Sequence, residues 1–168
     1  MRILVLYNIA RELGVGVDSD IVCEQEIEII VPLVKDLLTV RGHQVETLET
    51  TKNLWNDLVA RIGTFDLVLN MAESFGGGNT DEPLVPAMLE ALRIPFTGAS
   101  SLNMQLTLDK EKSKLVCAGY GVPVTPYQRF DYGNEPLSSR ITFPAIVKPI
   151  RQEGSIGIYA DCVVRNEV

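Results

Sequence analysis

Four short β-prone runs, Ile3 to Tyr7, Gln44 to Leu48, Asp66 to Asn70 and Ile94 to Thr97, alternate with segments of helical apolar spacing. That alternation leaves few folds open, because parallel strands need long crossover connections and helices are the usual ones. Ile3 to Tyr7 is continuously apolar, as a central strand covered on both faces would be. Between the first two runs, Ile27, Ile30, Val31, Val34, Leu37 and Leu38 recur at helical spacing and stop at Arg41-Gly42. Pro32 inside this pattern predicts a kink or a break. Asn53 to Ile62 reads as a short helix with Leu54, Leu58 and Ile62 on one face. Glu82 to Leu92 reads as another, with Pro83 in its first turn. The expected class is α/β, a doubly wound parallel sheet.

From Ser100 the texture changes. Ser101 to Tyr120 reads as helical, in two pieces meeting near Leu108-Asp109-Lys110. Tyr127 to Phe130, Ala145 to Lys148 and Ile156 to Val164 are short strand candidates joined by turns, which suits an antiparallel α+β subdomain. The expected boundary is near Ala99, giving domains 1–99 and 100–168.

Composition removes several function classes. A net charge of −7 disfavours nucleic acid and anionic membrane surfaces as partners. The cysteines Cys23, Cys117 and Cys162 are widely spaced and His43 is the single histidine, so neither a zinc site nor a disulfide framework is expected. Free thiols, an apolar strand directly after Met1 and the lack of any apolar run of transmembrane length lead to the expectation of a cytoplasmic protein.

The glycines of Leu13-Gly14-Val15-Gly16-Val17 follow a strand but do not open a helix as GxGxxG, so a dinucleotide site of the oxidoreductase kind is disfavoured. No GxxxxGK[ST] occurs. The loop Glu73-Ser74-Phe75-Gly76-Gly77-Gly78-Asn79-Thr80-Asp81-Glu82 follows a strand, at the sheet edge where open α/β proteins bind ligands; a plain surface loop is the alternative. Thr97-Gly98-Ala99-Ser100-Ser101 reads as strand end, turn and helix N-cap. Asp109-Lys110 inside a helix would ordinarily mark a solvated face.

Phe143-Pro144-Ala145-Ile146-Val147-Lys148-Pro149 is different. It is an apolar run ending in a lysine, followed by Glu153-Gly154-Ser155-Ile156-Gly157. A strand-end cation beside a small-residue loop with available N–H groups suits phosphate. If Lys148 is partly buried in a strand, its ammonium needs a partner. Glu153 or Asp131 could serve structurally, and the glycine loop could be a simple hairpin turn.

Taken together, LDK, then GVPV, then FPAIVKP and the Gly/Ser loop closing on Gly157-Ile158 resemble the ATP-grasp superfamily. Within it the chain resembles the D-alanine–D-alanine ligase family, over nearly its whole length. PAMLEALRIPFTG and TGAS resemble the N-terminal substrate domain (pre-ATP-grasp), and residues after Ser100 the first part of the ATP-binding domain. The resemblance implies that Lys110 and Lys148 hold nucleotide phosphates. It also implies that Glu153, Gly154, Ser155 and Gly157 belong to a loop covering the β- and γ-phosphates. Members form an acyl phosphate from a carboxylate and ATP with Mg²⁺, and an amine then displaces phosphate; the family serves peptidoglycan biosynthesis and is commonly dimeric.

The first-substrate pocket would draw on Asp18, Glu73, Gly76 and Gly98, with Asp20 and Glu24 competing with Asp18 for the amino group. Where members carry His-Gly after the third strand, this chain reads Ala72-Glu73-Ser74-Phe75-Gly76, which leaves open carboxylates and amines other than D-alanine. Metal-binding acids lie in later sequence in the family, so the expectation is an N-terminal fragment, inactive alone, with no metal ligand of its own. The alternative is a non-catalytic nucleotide- or partner-binding module.

Overall fold

The computed structural model describes residues 1–9, 26–75, 81–152 and 155–166. β1 (Arg2–Tyr7) is central in a parallel sheet, with β2 (Gln44–Glu49) on one side and β3 (Leu67–Asn70) on the other. Ile3 pairs with Val45 and Leu67, and Leu6 with Leu48 and Asn70. The fourth run joins as a single parallel bridge, Val68 to Phe96, flanked by Val68 N–H to Pro95 O at 2.9 Å and Thr97 N–H to Val68 O at 3.0 Å.

The uninterrupted apolarity of β1 has a simple cause: alternate side chains enter two different cores. Leu4 and Leu6 pack with Leu54 and Leu58 of α2 (Leu54–Arg61) and with Val85 and Leu89 of α3 (Leu84–Ala91). Ile3 and Val5 pack with Val31 of α1 (Ile27–Val40), with Ile27 and Leu38 against them. The α/β doubly wound reading therefore holds for this part of the chain.

Two expectations there need correction. Of the kink or break expected at Pro32, the break does not occur, since α1 is continuous through it. The exposed proline removes one helical donor, but burial of the opposite stripe keeps the segment helical. Ile62 lies past the end of α2 and is exposed, so only Leu54 and Leu58 form its buried stripe.

The chain divides into two compact units, Met1–Gln105 and Leu106–Val168. α4 (Ser101–Leu108) spans that division and is followed at once by α5 (Lys110–Gly119), so the two helical pieces meet at Asp109 as expected. Ser100 caps α4, its Oγ accepting from Asn103 N–H at 3.3 Å. Ser101 N–H donates to Glu90 Oε1 at 3.0 Å, and Glu90, accepting from the Ser101 hydroxyl above all, is held below the usual carboxylate range.

The second unit has less regular structure than the sequence predicts. Tyr127 to Phe130 does not form a strand. It is tied to α5 by side chains instead: Lys114 Nζ donates to Thr125 Oγ1 at 2.7 Å and stands 5.0 Å from the Tyr127 ring centre. Ala145 to Lys148 forms only a two-residue strand, β4 (Ala145–Ile146), antiparallel to β5 (Val163–Val164). Val147 N–H extends that pairing to Cys162 O at 2.8 Å. Ile156 to Val164 is a turn and a 3₁₀ segment (Ala160–Cys162) before β5, because Ser155 and Gly157 both take positive φ, which strands exclude.

Candidate functional site

In the first unit, the carboxyl ends of the three parallel strands carry buried polar side chains. Asn8, Thr50 and Ser74 are all buried just past β1, β2 and β3. Their hydrogen bonds stitch the strand ends together, as buried polar groups require. Asn8 Oδ1 accepts from Glu73 N–H at 2.6 Å, and Thr50 Oγ1 donates to Ser74 O at 3.0 Å. Thr97 Oγ1 accepts from Asn70 N–H at 3.1 Å, and Asp81 Oδ1 accepts from Phe75 N–H at 2.7 Å. The start of the glycine-rich loop is thus pinned to the sheet edge that serves ligands in open α/β folds.

Of the pocket residues expected there, Glu73 is exposed and contributes its backbone to the Asn8 contact. Gly98 is exposed with φ +106°. Asp18, Asp20, Glu24 and Gly76 lie outside the described residues. Asn8 and Thr50 were not among the expected site residues, and Ser74 only as part of the loop; Asn8 and Thr50 are signalled by a polar residue directly after β1 and β2.

In the second unit the break between α4 and α5 is the informative place. Asp109 is extended (φ −92°, ψ 102°), and its Oδ1 accepts from Lys112 N–H at 3.1 Å as an N-cap. Such a cap contributes about 0.5–2 kcal/mol. Its Oδ2 lies 3.2 Å from Arg151 Nε and 3.4 Å from Lys112 Nζ, and the side chain is only 5% exposed. The Lys112 backbone N–H above all, then the Arg151 and Lys112 side chains, hold this carboxyl below the usual carboxylate range against the opposing effect of burial. Asp109-Lys110 is therefore no solvated helix face: Asp109 is buried in a helix break.

Lys110 meets the other end of the motif. Its backbone N–H donates to Ile150 O at 3.1 Å, and its ammonium donates to Gln152 O. Residues 109–110 and 150–152 are thereby joined. Ser155 takes φ +64°, and its carbonyl accepts from Ile158 N–H at 3.0 Å. Ile156 inside that turn is buried. Gly157 has φ +71°, and a Cβ there would sit 3.1 Å from Pro149 Cγ. Glycine is required at this point for both reasons. Glu153 and Gly154 lie outside the described residues.

Lys148 differs from expectation. It is exposed and lies beyond β4, so its ammonium is hydrated and needs no buried partner. Asp131, one suggested partner, is instead paired with Arg129 at 2.6 Å. Among the described residues, no group of three or more His, Cys, Asp or Glu side chains could hold a metal ion. Nor is any described helix long and apolar enough to cross a membrane.

No protein-family model matches the chain. Curated relatives do. The chain is 33% identical over 130 residues to a D-alanine–D-alanine ligase of Marinomonas sp., covering 76% of this chain and 41% of that protein. It is 33% identical over 119 residues to the D-alanine–D-alanine ligase of Methylococcus capsulatus, covering 70% of this chain and 37% of that one. Its fold matches the crystal structure of D-alanine–D-alanine ligase from Bacillus anthracis with TM-score 0.65 and 21% identity, over 99% of this chain and 49% of that one. A structure of that enzyme complexed with ATP matches with TM-score 0.57 and 20% identity, over 96% and 51%. The curated relatives place the chain in a family of ATP-grasp ligases. It belongs to the D-alanine–D-alanine ligase family and corresponds to the N-terminal portion of its members, spanning about two fifths of the curated relatives' length.

Proposed function

We propose that these residues are the substrate domain and the phosphate-holding part of the ATP-binding domain of an ATP-dependent carboxylate–amine ligase. The observation that carries the proposal is the junction of Lys110 with residues 150–152, which ties a cation to the segment that precedes Ser155–Gly157 in the chain. Lys110 and Lys148 hold the nucleotide's phosphates, and Glu153, Gly154, Ser155 and Gly157 cover them. ATP supplies the phosphoryl group. A substrate carboxylate oxygen attacks the γ-phosphorus as the bond to ADP breaks, giving an acyl phosphate; an amine then attacks the acyl carbon and phosphate leaves. Fixed cations and backbone N–H groups stabilise the charge that builds on the transferring group.

The names of the relatives and the ATP complex of the Bacillus anthracis enzyme support this reading. The first substrate binds at the carboxyl edge of the parallel sheet, near Glu73, Gly76 and Gly98, with Asp18 on its amino group. D-alanine is the first candidate. The loop beginning Ala72-Glu73-Ser74 widens the class to other carboxylates and amines. Mg²⁺ would be held by groups supplied elsewhere in the family fold. A cytoplasmic location, a role in peptidoglycan synthesis and a homodimer complete the reading.

On this reading the 168 residues are expected to bind nucleotide. Incubation with Mg·ATP, D-alanine and a phosphate-release assay tests that: binding with no release is expected. Measurable release would show that these residues suffice for catalysis. Neither binding nor release would leave only the alternative, a partner-binding module.

A further inference from the structure

Residues 150, 151 and 152 are each tied to the short stretch 109–110. Ile150 O and Gln152 O accept from Lys110, and Arg151 Nε donates to Asp109 Oδ2 at 3.2 Å. An N-cap needs only one acceptor oxygen, and Asp109 Oδ1 fills that role for Lys112. Serine or asparagine would cap as well. The second oxygen is shared between Arg151 Nε at 3.2 Å and Lys112 Nζ at 3.4 Å, and the Arg151 contact, 42 residues away in sequence, is not needed for capping.

Stability is a weak explanation for it. The Arg151 side chain is 53% exposed and rehydrates when the contact is lost, while Asp109, 5% exposed, keeps its cap and Lys112 Nζ at 3.4 Å. Position is a better one. Downstream of Arg151 the chain turns through Ser155, buries Ile156 and brings Gly157 against the Pro149 ring. Pro149 stands two residues before Arg151, so the turn closes onto the segment that Asp109 holds. Displacing Arg151 therefore displaces both ends of the turn together.

We propose that Asp109 and Arg151 are a positioning pair that sets the Ser155–Gly157 turn against the N-terminus of α5. The inference rests on the reading of that turn as a phosphate cover. Asp109 acts through Arg151. The pair also keeps a carboxylate satisfied by its own cations, so that it does not repel the anion the turn receives.

The test uses the 168-residue chain in three forms: wild type, Asp109→Asn and Arg151→Ala. Asparagine keeps the cap and removes the charge on Oδ2. Thermal midpoint, amide hydrogen exchange of residues 150–158 and Mg·ATP affinity are measured for each. Arg151→Ala is expected to keep a near-native midpoint, and Asp109→Asn to stay folded with a lower one. Exchange in 150–158 rises and Mg·ATP binding weakens by about tenfold, the size of a contact-level coupling. The double variant does no more than either single one, and Arg151→Lys recovers part of the loss. Unchanged exchange in both variants overturns the positioning role. Should Asp109→Asn fail to fold, the exposed Arg151→Ala alone decides. If the wild type binds no Mg·ATP, the phosphate reading fails, while the exchange result still supports or overturns the pair.

Discussion

Arg151 Nε donates to Asp109 Oδ2 across 3.2 Å, joining residues 42 apart in sequence at the break between two helices. Asp109 at that break is buried, and its carboxyl lies below the usual carboxylate range because Lys112 N–H, Arg151 and Lys112 stabilise the anion. A carboxyl depressed in the folded state contributes stability above its unfolded value, about 3.9, and loses it as pH falls through the folded value. Urea unfolding between pH 7 and pH 2 is expected to show a stability loss beginning below about pH 5 that is smaller in Asp109→Asn. An identical acid limb in the variant would remove Asp109 from the account.

The parallel sheet is held by burial rather than by surface charge. Leu58 is fully buried against β1, so Leu58→Ala should cost about 2–5 kcal/mol in chemical denaturation. Arg2 and Asp66 make a 2.6 Å ion pair with both side chains 40% or more exposed. Arg2→Ala should cost clearly less than Leu58→Ala, because solvent screens an exposed pair. A reversed order would mean that the core has been misplaced.

At the sheet edge, Asn8→Ala strands the Glu73 N–H that now donates to Oδ1 at 2.6 Å. Loss of a buried partner costs about 1–3 kcal/mol, and amide exchange at Glu73 should accelerate with it. Unchanged exchange there would show that the loop is pinned by something else.

Gly157→Ala meets two penalties at once. The left-handed backbone costs about 1–2 kcal/mol for a residue with a Cβ. That Cβ would also sit 3.1 Å from Pro149 Cγ, so the turn must shift. Circular dichroism should show the fold retained while Mg·ATP affinity falls. Unaltered affinity would separate the turn from nucleotide binding.

Much of this was legible in the sequence, for physical reasons. The period of β1 and the spacing of Leu54, Leu58, Val85 and Leu89 report burial directly, and burial dominates the α/β unit. The split of the helical segment at Asp109 was legible too, because a capping residue interrupts the apolar pattern. The second unit was harder to read. Tyr127 to Phe130 has strand-like residues but finds no strand partner, and β pairing depends on partners that local sequence does not encode. Lys148 ends an apolar run that reads as a strand, yet β4 stops at Ile146 and the lysine is exposed. The Asp109–Arg151 contact was invisible for the same reason, since nothing local links residues so far apart.

The central claim is that the second unit carries the phosphate side of a nucleotide site, with Lys110 and Lys148 as its cations. The most direct measurement is a Mg·ATP titration of the ¹⁵N-labelled chain followed by amide NMR, repeated for Lys110→Ala and Lys148→Ala. Saturable shifts confined to residues 109–113 and 147–158 are predicted. Each variant should weaken binding by about tenfold or more, as loss of a hydrogen bond to a charged group implies. Shifts elsewhere, or affinities unchanged in both variants, would contradict it.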